Sequence, residues 1–165
     1  MEDSQKKPQQ KIASLADVTQ LVTFRLKQEE FAVNITEVQE IIRMLSITTL
    51  PKVPDYIKGI VNLRGKIVPI FDLRKKLALE EIAYTKETRI MVVNIEGTVM
   101  GMIVDSVSEV LRIKEETIEP PPPLVLGMSA DYIKGVVNLT DRILILLDLP
   151  RLLTLEEQRK LQSLA

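Results

Sequence analysis

The chain contains no histidine, no cysteine and no tryptophan among its 165 residues. Those absences remove the usual general base, the thiolate nucleophile and every metal site built on imidazole or thiolate. No disulfide can form, so the redox compartment is not legible. Only three Phe and three Tyr are present, and 22 basic side chains face 23 acidic ones. That is too few aromatics and too little basic excess for a nucleic-acid surface. No run approaches the roughly 18 apolar residues of a membrane span, and the amino-terminal MEDSQKKPQQKIASLADVT lacks a signal-like apolar core. The expectation is a cytoplasmic protein with no catalytic residues, no metal, no cofactor, no nucleic-acid partner and no membrane insertion.

What the chain does contain is a duplication. YIKGIVNLRGKIVPIFDL, Tyr56 to Leu73, returns as YIKGVVNLTDRILILLDL, Tyr132 to Leu149, with ten of eighteen positions identical. An offset of 69 lays Leu21–Arg43 without a gap on Ile90–Arg112, and an offset of 76 relates the quoted segments. Phe24 meets Val93, Phe31 meets Met100 and Val33 meets Met102, so the alternating apolar positions coincide. The seven extra residues fall between Arg112 and Asp131, where the PPPPL run beginning at Pro120 reads as a stiff loop insertion.

Each copy reads as strand, turn, strand, short helix, extended segment, strand, turn, strand. The first turn contains Gln28-Glu29-Glu30 in one copy and Glu96-Gly97-Thr98 in the other. The short helices are expected to start at Thr36 and Asp105 as N-caps. They would present Val38, Ile41, Ile42 and Leu45, or Val107, Val110 and Leu111, on one face. Asp72 and Asp148 each precede a helix-like run, LRKKLALEE and LPRLLTLEE, and are read as N-caps. Gly59 and Gly135 stand where a loop enters a strand, and Asn62 and Asn138 are expected to bond turn backbone. Two small β-barrel-like lobes with apolar faces pressed together are the fold this pattern predicts.

Residues forced by the fold should survive in both copies, whereas residues serving a partner need survive in one. Arg64-Gly65 falls in the second group, because Thr140-Asp141 replaces it. At a hairpin tip the guanidinium stands in water, with five donors in a rigid fork suited to a carboxylate.

YIKGIVNLRGKIVPIFDLR, with FAVNITEVQEIIR before it and GMIVDSVSEVLRI after it, resembles the CheW family of chemotaxis coupling proteins over about Gln20 to Leu155. The resemblance implies a mainly β fold of two five-stranded lobes, SH3/OB-like barrels related by internal duplication, with short helices and a C-terminal helix. It implies a non-catalytic adaptor that couples the cytoplasmic tips of chemoreceptors to the regulatory domain of the histidine kinase CheA, recruited to membrane-associated receptor arrays. An adaptor of a parallel receptor-kinase system, for surface motility or development, is the alternative. For partner binding it points to Arg64 and Gly65, with Gly59 and Lys58 in the same block. For a receptor groove it points to Val38, Ile42 and Val110.

Residues 1–17 are expected to be a disordered tail, 18–155 the domain, with lobes near 20–80 and 88–150 and terminal strands open to exchange, and 154–165 a C-terminal helix. Thr154 and Glu157 stand at capping-box spacing for that helix. Of Met91, Met100, Met102 and Met128, which together suggest an adaptable surface, the first three fall at strand-core positions and are assigned to the core.

Overall fold

The computed structural model describes residues 17–121 and 130–164. Most of the expected tail, Pro122 to Leu124 of the proline run and Met128 lie outside those residues. Among the described residues eleven strands form two sheets. They are β1 Val18–Leu26, β2 Glu29–Asn34, β3 Val38–Arg43, β4 Ile57–Leu63, β5 Lys66–Phe71, β6 Arg89–Ile95, β7 Thr98–Val104, β8 Ser106–Lys114, β9 Ile118–Glu119, β10 Ile133–Asn138 and β11 Ile143–Leu147. Helices α1 Leu73–Lys76, α2 Leu149–Leu152 and α3 Leu155–Leu164 and three single-turn 3-10 segments make up the other regular elements among the described residues.

The strand order is β8-β1-β2-β11-β10-β9 in sheet A and β3-β6-β7-β5-β4 in sheet B. Neither sheet belongs to one copy of the repeat. The β1–β2 hairpin of copy one joins the later strands of copy two, and the β6–β7 hairpin of copy two joins those of copy one. The lobes are therefore reciprocal exchanges of the leading hairpin. Parallel contacts, Ile145 and Leu146 against Phe31 and Ala32 and Ile70 and Phe71 against Gly101 and Met102, stitch each guest hairpin in.

Alternation of side chains places three cores at once. Leu21, Ala32, Val137, Leu144 and Leu146 fill sheet A's interior, and the repeat-related Ile90, Val61, Val68 and Ile70, with Val92, fill that of sheet B. The opposite strand faces, including Phe24, Phe31, Met91, Met100, Met102 and Phe71, meet in one large core between the lobes. Phe24 and Phe31 stack there with centroids 5.9 Å apart. The methionines assigned to the core are fully buried.

The two short helices expected at Thr36 and Asp105 are strands instead. In β3 Val38, Glu40 and Ile42 turn inward while Gln39, Ile41 and Arg43 turn outward. The helical reading put Ile41 and Ile42 on one face, but the β-branched Val38, Ile41, Ile42, Val107 and Val110 favour the extended backbone. Only a 3-10 turn, Ile35–Glu37, precedes β3, and its cap is Asn34, whose Oδ1 accepts from the Thr36 N–H and hydroxyl. Thr36 is thus capped rather than capping, because Asn34 sits at the residue where the chain leaves β2. The first hairpin turn centres on Lys27-Gln28, one residue earlier than expected, and matches Glu96-Gly97 in copy two.

Candidate functional site

Arg64 and Gly65 are the two central residues of the β4–β5 turn, with φ of 51° and 86°. Positive φ at both positions is the hairpin geometry that suits right-twisted strands, and Gly65 takes the second at low cost. Asn62 fixes the turn by accepting from the Gly65 N–H at 2.7 Å. The turn projects the Arg64 guanidinium, 68% exposed, onto the Glu40 carboxylate of β3. That bond and the adjacent negative charge raise the pKa of a group already protonated at any physiological pH.

Beside this pair opens a groove of about 550 Å³, lined among others by Leu63, Ile67, Val99 and Gln162. Ile67 is half exposed, so apolar surface stands next to the charged pair. Arg64 and Lys66 against Glu40 give the groove a net positive rim.

Copy two builds the matching corner differently. Thr140-Asp141 occupy the turn, closed by Leu139 N–H donating to the Arg142 carbonyl at 2.8 Å. Arg142 occupies the place of Lys66 and reaches Glu109, the repeat partner of Glu40, at 2.7 Å. It also bonds Glu30 at 2.6 Å and Asp141 at 3.1 Å. Glu30, on the copy-one hairpin that joins this sheet, is 7% exposed and stands where copy two has Val99. Sequence reasoning passes over Arg142, although the offset of 69 aligns Glu40 with Glu109 and that of 76 aligns Lys66 with Arg142.

The other expected site residues disperse. Lys58 lies apart from the Arg64 groove, 3.7 Å from Glu81 and 5.3 Å from the centre of the Tyr84 ring. Its burial disfavours the charge, but Tyr84, Asp72 and Glu81 outweigh that and raise its pKa. Gly59 serves backbone packing: a Cβ there would stand 2.3 Å from the Thr48 carbonyl oxygen, where Thr48 and Ile60 exchange hydrogen bonds of 2.8 and 2.9 Å. Gly135 repeats this against Glu119. Val38 packs on the central core and Ile42 on the interior of sheet B, whereas Val110 is 51% exposed. Asp72 accepts from the Lys75 N–H at 3.1 Å at the start of α1. Asp148 holds the same place before α2 but makes no side-chain cap bond, and lies 3.6 Å from Arg151 instead. Pro150, in that first turn, supplies no N–H to be capped.

Among the described residues no group of three or more Asp or Glu is placed to hold a metal ion, and no helix is long and apolar enough to cross a membrane.

A model of the CheW-like domain matches residues 20–157. The chain is 38% identical to the chemotaxis protein CheW of Klebsiella aerogenes over 93% of its own length and 98% of that protein. It is 34% identical to the chemotaxis protein CheW of Treponema pallidum over 88% of each. The crystal structure of the scaffolding protein TtCheW from Thermoanaerobacter tengcongensis superposes with a TM-score of 0.76 at 37% identity, covering 84% of this chain and 90% of that one.

Proposed function

The chain belongs to the CheW family of non-catalytic chemotaxis scaffold proteins, and from that premise we propose that it couples the cytoplasmic tips of chemoreceptors to the histidine kinase CheA. Residues 18–155 form the coupling domain in this reading, recruited to receptor arrays by its partners. The observation that carries it is Arg64: a guanidinium held outward by a two-residue turn, beside a groove, in one repeat copy and not in the other. Exposed apolar groups beside a charged rim suit contacts that form and release, since the centre of such a patch supplies affinity and the rim supplies fit.

The kinase regulatory domain and the receptor tip are the two partners, and Val110, exposed on β8, remains the groove candidate accessible to one of them. Joining barrel ends of similar lobes head to tail is a heterologous contact, which can close into rings. The test is a calorimetric titration with the regulatory domain of CheA from the same organism, then with receptor-tip bundles. Saturable binding of both, each tolerating the other, is expected. Absence of binding to either at concentrations far above micromolar would defeat the proposal.

A further inference from the structure

Two departures of the molecule from its own repeat symmetry border the same groove. One is Arg64-Gly65, replaced in copy two by Thr140-Asp141. The other lies beyond the last strand of each copy. After α1 the chain runs through Leu79–Thr85 without regular structure, whereas its repeat equivalent in copy two folds as α3. The local cause is a cap. Thr154 and Glu157 bond reciprocally, Glu157 N–H to the Thr154 hydroxyl at 3.1 Å and Thr154 N–H to the Glu157 carboxylate at 2.9 Å. Ala78 holds the position of Thr154 and has no side-chain acceptor to offer.

Once formed, α3 lies against the sheet that carries Arg64. Leu161 is fully buried in the central core, and Glu157 takes the Lys76 ammonium at 2.9 and 3.2 Å. From the next residue, Gln162, the side-chain amide donates to the Thr98 hydroxyl at 2.9 Å, beside the Glu96-Gly97 turn. Gln162 and Thr98 both line the Arg64 groove. The matching corner of sheet A has Arg142 joined to Glu30 and Glu109 in place of the Arg64–Glu40 pair.

We propose that α3 is a built-in wall of the Arg64 groove, and that Gln162 is a positioning residue setting the groove's width for an acidic segment of a partner protein, one of whose carboxylates takes Arg64. The acidic character follows from the rim, where Arg64 and Lys66 face the single carboxylate of Glu40. The inference rests on the reading of Arg64 as a partner contact.

The experiment titrates CheA regulatory domain and receptor-tip bundles into wild type, Arg64→Ala, Gln162→Ala, Gln162→Trp and the Arg64→Ala/Gln162→Ala pair, with a melting curve for each. Whichever probe loses affinity on Arg64→Ala is expected to lose about three- to tenfold on Gln162→Ala and to be blocked by Gln162→Trp. The double variant should fall short of the sum of the singles, as contacts sharing one ligand do. Melting temperatures should stay at the wild-type value, which separates a wall from a structural brace. If Arg64→Ala weakens binding while both Gln162 variants bind as wild type, the wall is wrong and the coupling surface stands. If neither probe responds to Arg64→Ala, the surface and the wall fall together.

Discussion

Arg64 and Glu40 come from opposite edges of one sheet, and their ion pair joins those edges. Glu40 is on β3 and Arg64 comes directly after β4, the first and last strands of the order β3-β6-β7-β5-β4. The contact therefore spans the seam at which sheet B curls on itself. In sheet A, Arg142 reaches from the β10–β11 turn to Glu109 on β8, also an edge strand. The repeat preserves the seam pairing while moving the arginine by two positions.

Because the Arg64 side chain is mostly in water, its bond with Glu40 is a surface pair, and such pairs contribute little to stability. Arg64→Ala is expected to melt with the wild type and to lose receptor control of the kinase in a reconstituted phosphorylation assay. A clear drop in melting temperature would make the residue a structural clamp.

The two copies offer an internal control for helix capping. Asp72 caps α1 through the Lys75 N–H, so Asp72→Ala should destabilise by about 1 kcal/mol. Asp148 lacks that bond, and Asp148→Ala should cost measurably less. Equal shifts in urea midpoint for the two variants would contradict the difference in geometry.

Gly59 lies within β4 and Gly65 in the turn beyond it, and their replacement by alanine should cost different amounts of stability. Gly59→Ala drives a methyl into the Thr48 carbonyl, an overpacking expected to cost about 1–3 kcal/mol. Gly65→Ala meets nothing within 4 Å and suffers only from its positive φ, about 1 kcal/mol. Denaturant titration of both should rank Gly59→Ala as the less stable.

The repeat makes most of this legible in the sequence. Alternation at Phe24, Phe31, Met100 and Met102 locates the central core, and Thr154 with Glu157 locates α3. What the pattern cannot convey is which copy a hairpin packs against, since exchange leaves every local period unchanged. β3 and β8 read falsely as helices because Ile41 and Val110 are exposed apolar residues, which fill in a helical stripe. The Arg64–Glu40 pair is hidden for a related reason: it joins residues 24 apart across a closed seam, a contact set by curvature of the sheet.

Two glutamates should tilt the pH dependence of stability in opposite senses. Burial works against ionised Glu157, but the Thr154 N–H, the Lys76 ammonium and the Thr154 hydroxyl prevail and lower its pKa below 4.5. Its stabilisation is complete above 4.5 and is lost as pH falls through the lower folded value. Glu37 is the reverse, raised by burial and by Asp148 against the pull of Lys134. There the folded state holds the proton longer, so stability declines as pH rises from 4.5 through the raised value. Urea midpoints measured from about pH 3 to 7 should show Glu157→Gln flattening the acid limb and Glu37→Gln flattening the decline above it. Parallel curves for either variant and wild type would refute that assignment.

Arg142 should behave unlike Arg64, although both close a seam. Removing Arg64 leaves Glu40 at a groove open to water, able to solvate its charge. Removing Arg142 strands Glu30, which is 7% exposed and has no other cationic partner among the described ion pairs. A buried carboxylate without its counter-charge is strongly unfavourable. Arg142→Ala is therefore expected to lower the melting temperature at neutral pH. Adding Glu30→Val, the residue that copy two carries at Val99, should restore most of the stability at neutral pH by removing the stranded charge. If Arg142→Ala melts with the wild type, or if Glu30→Val worsens it, the triple ion pair is a surface ornament and closure of sheet A rests on its apolar interior alone.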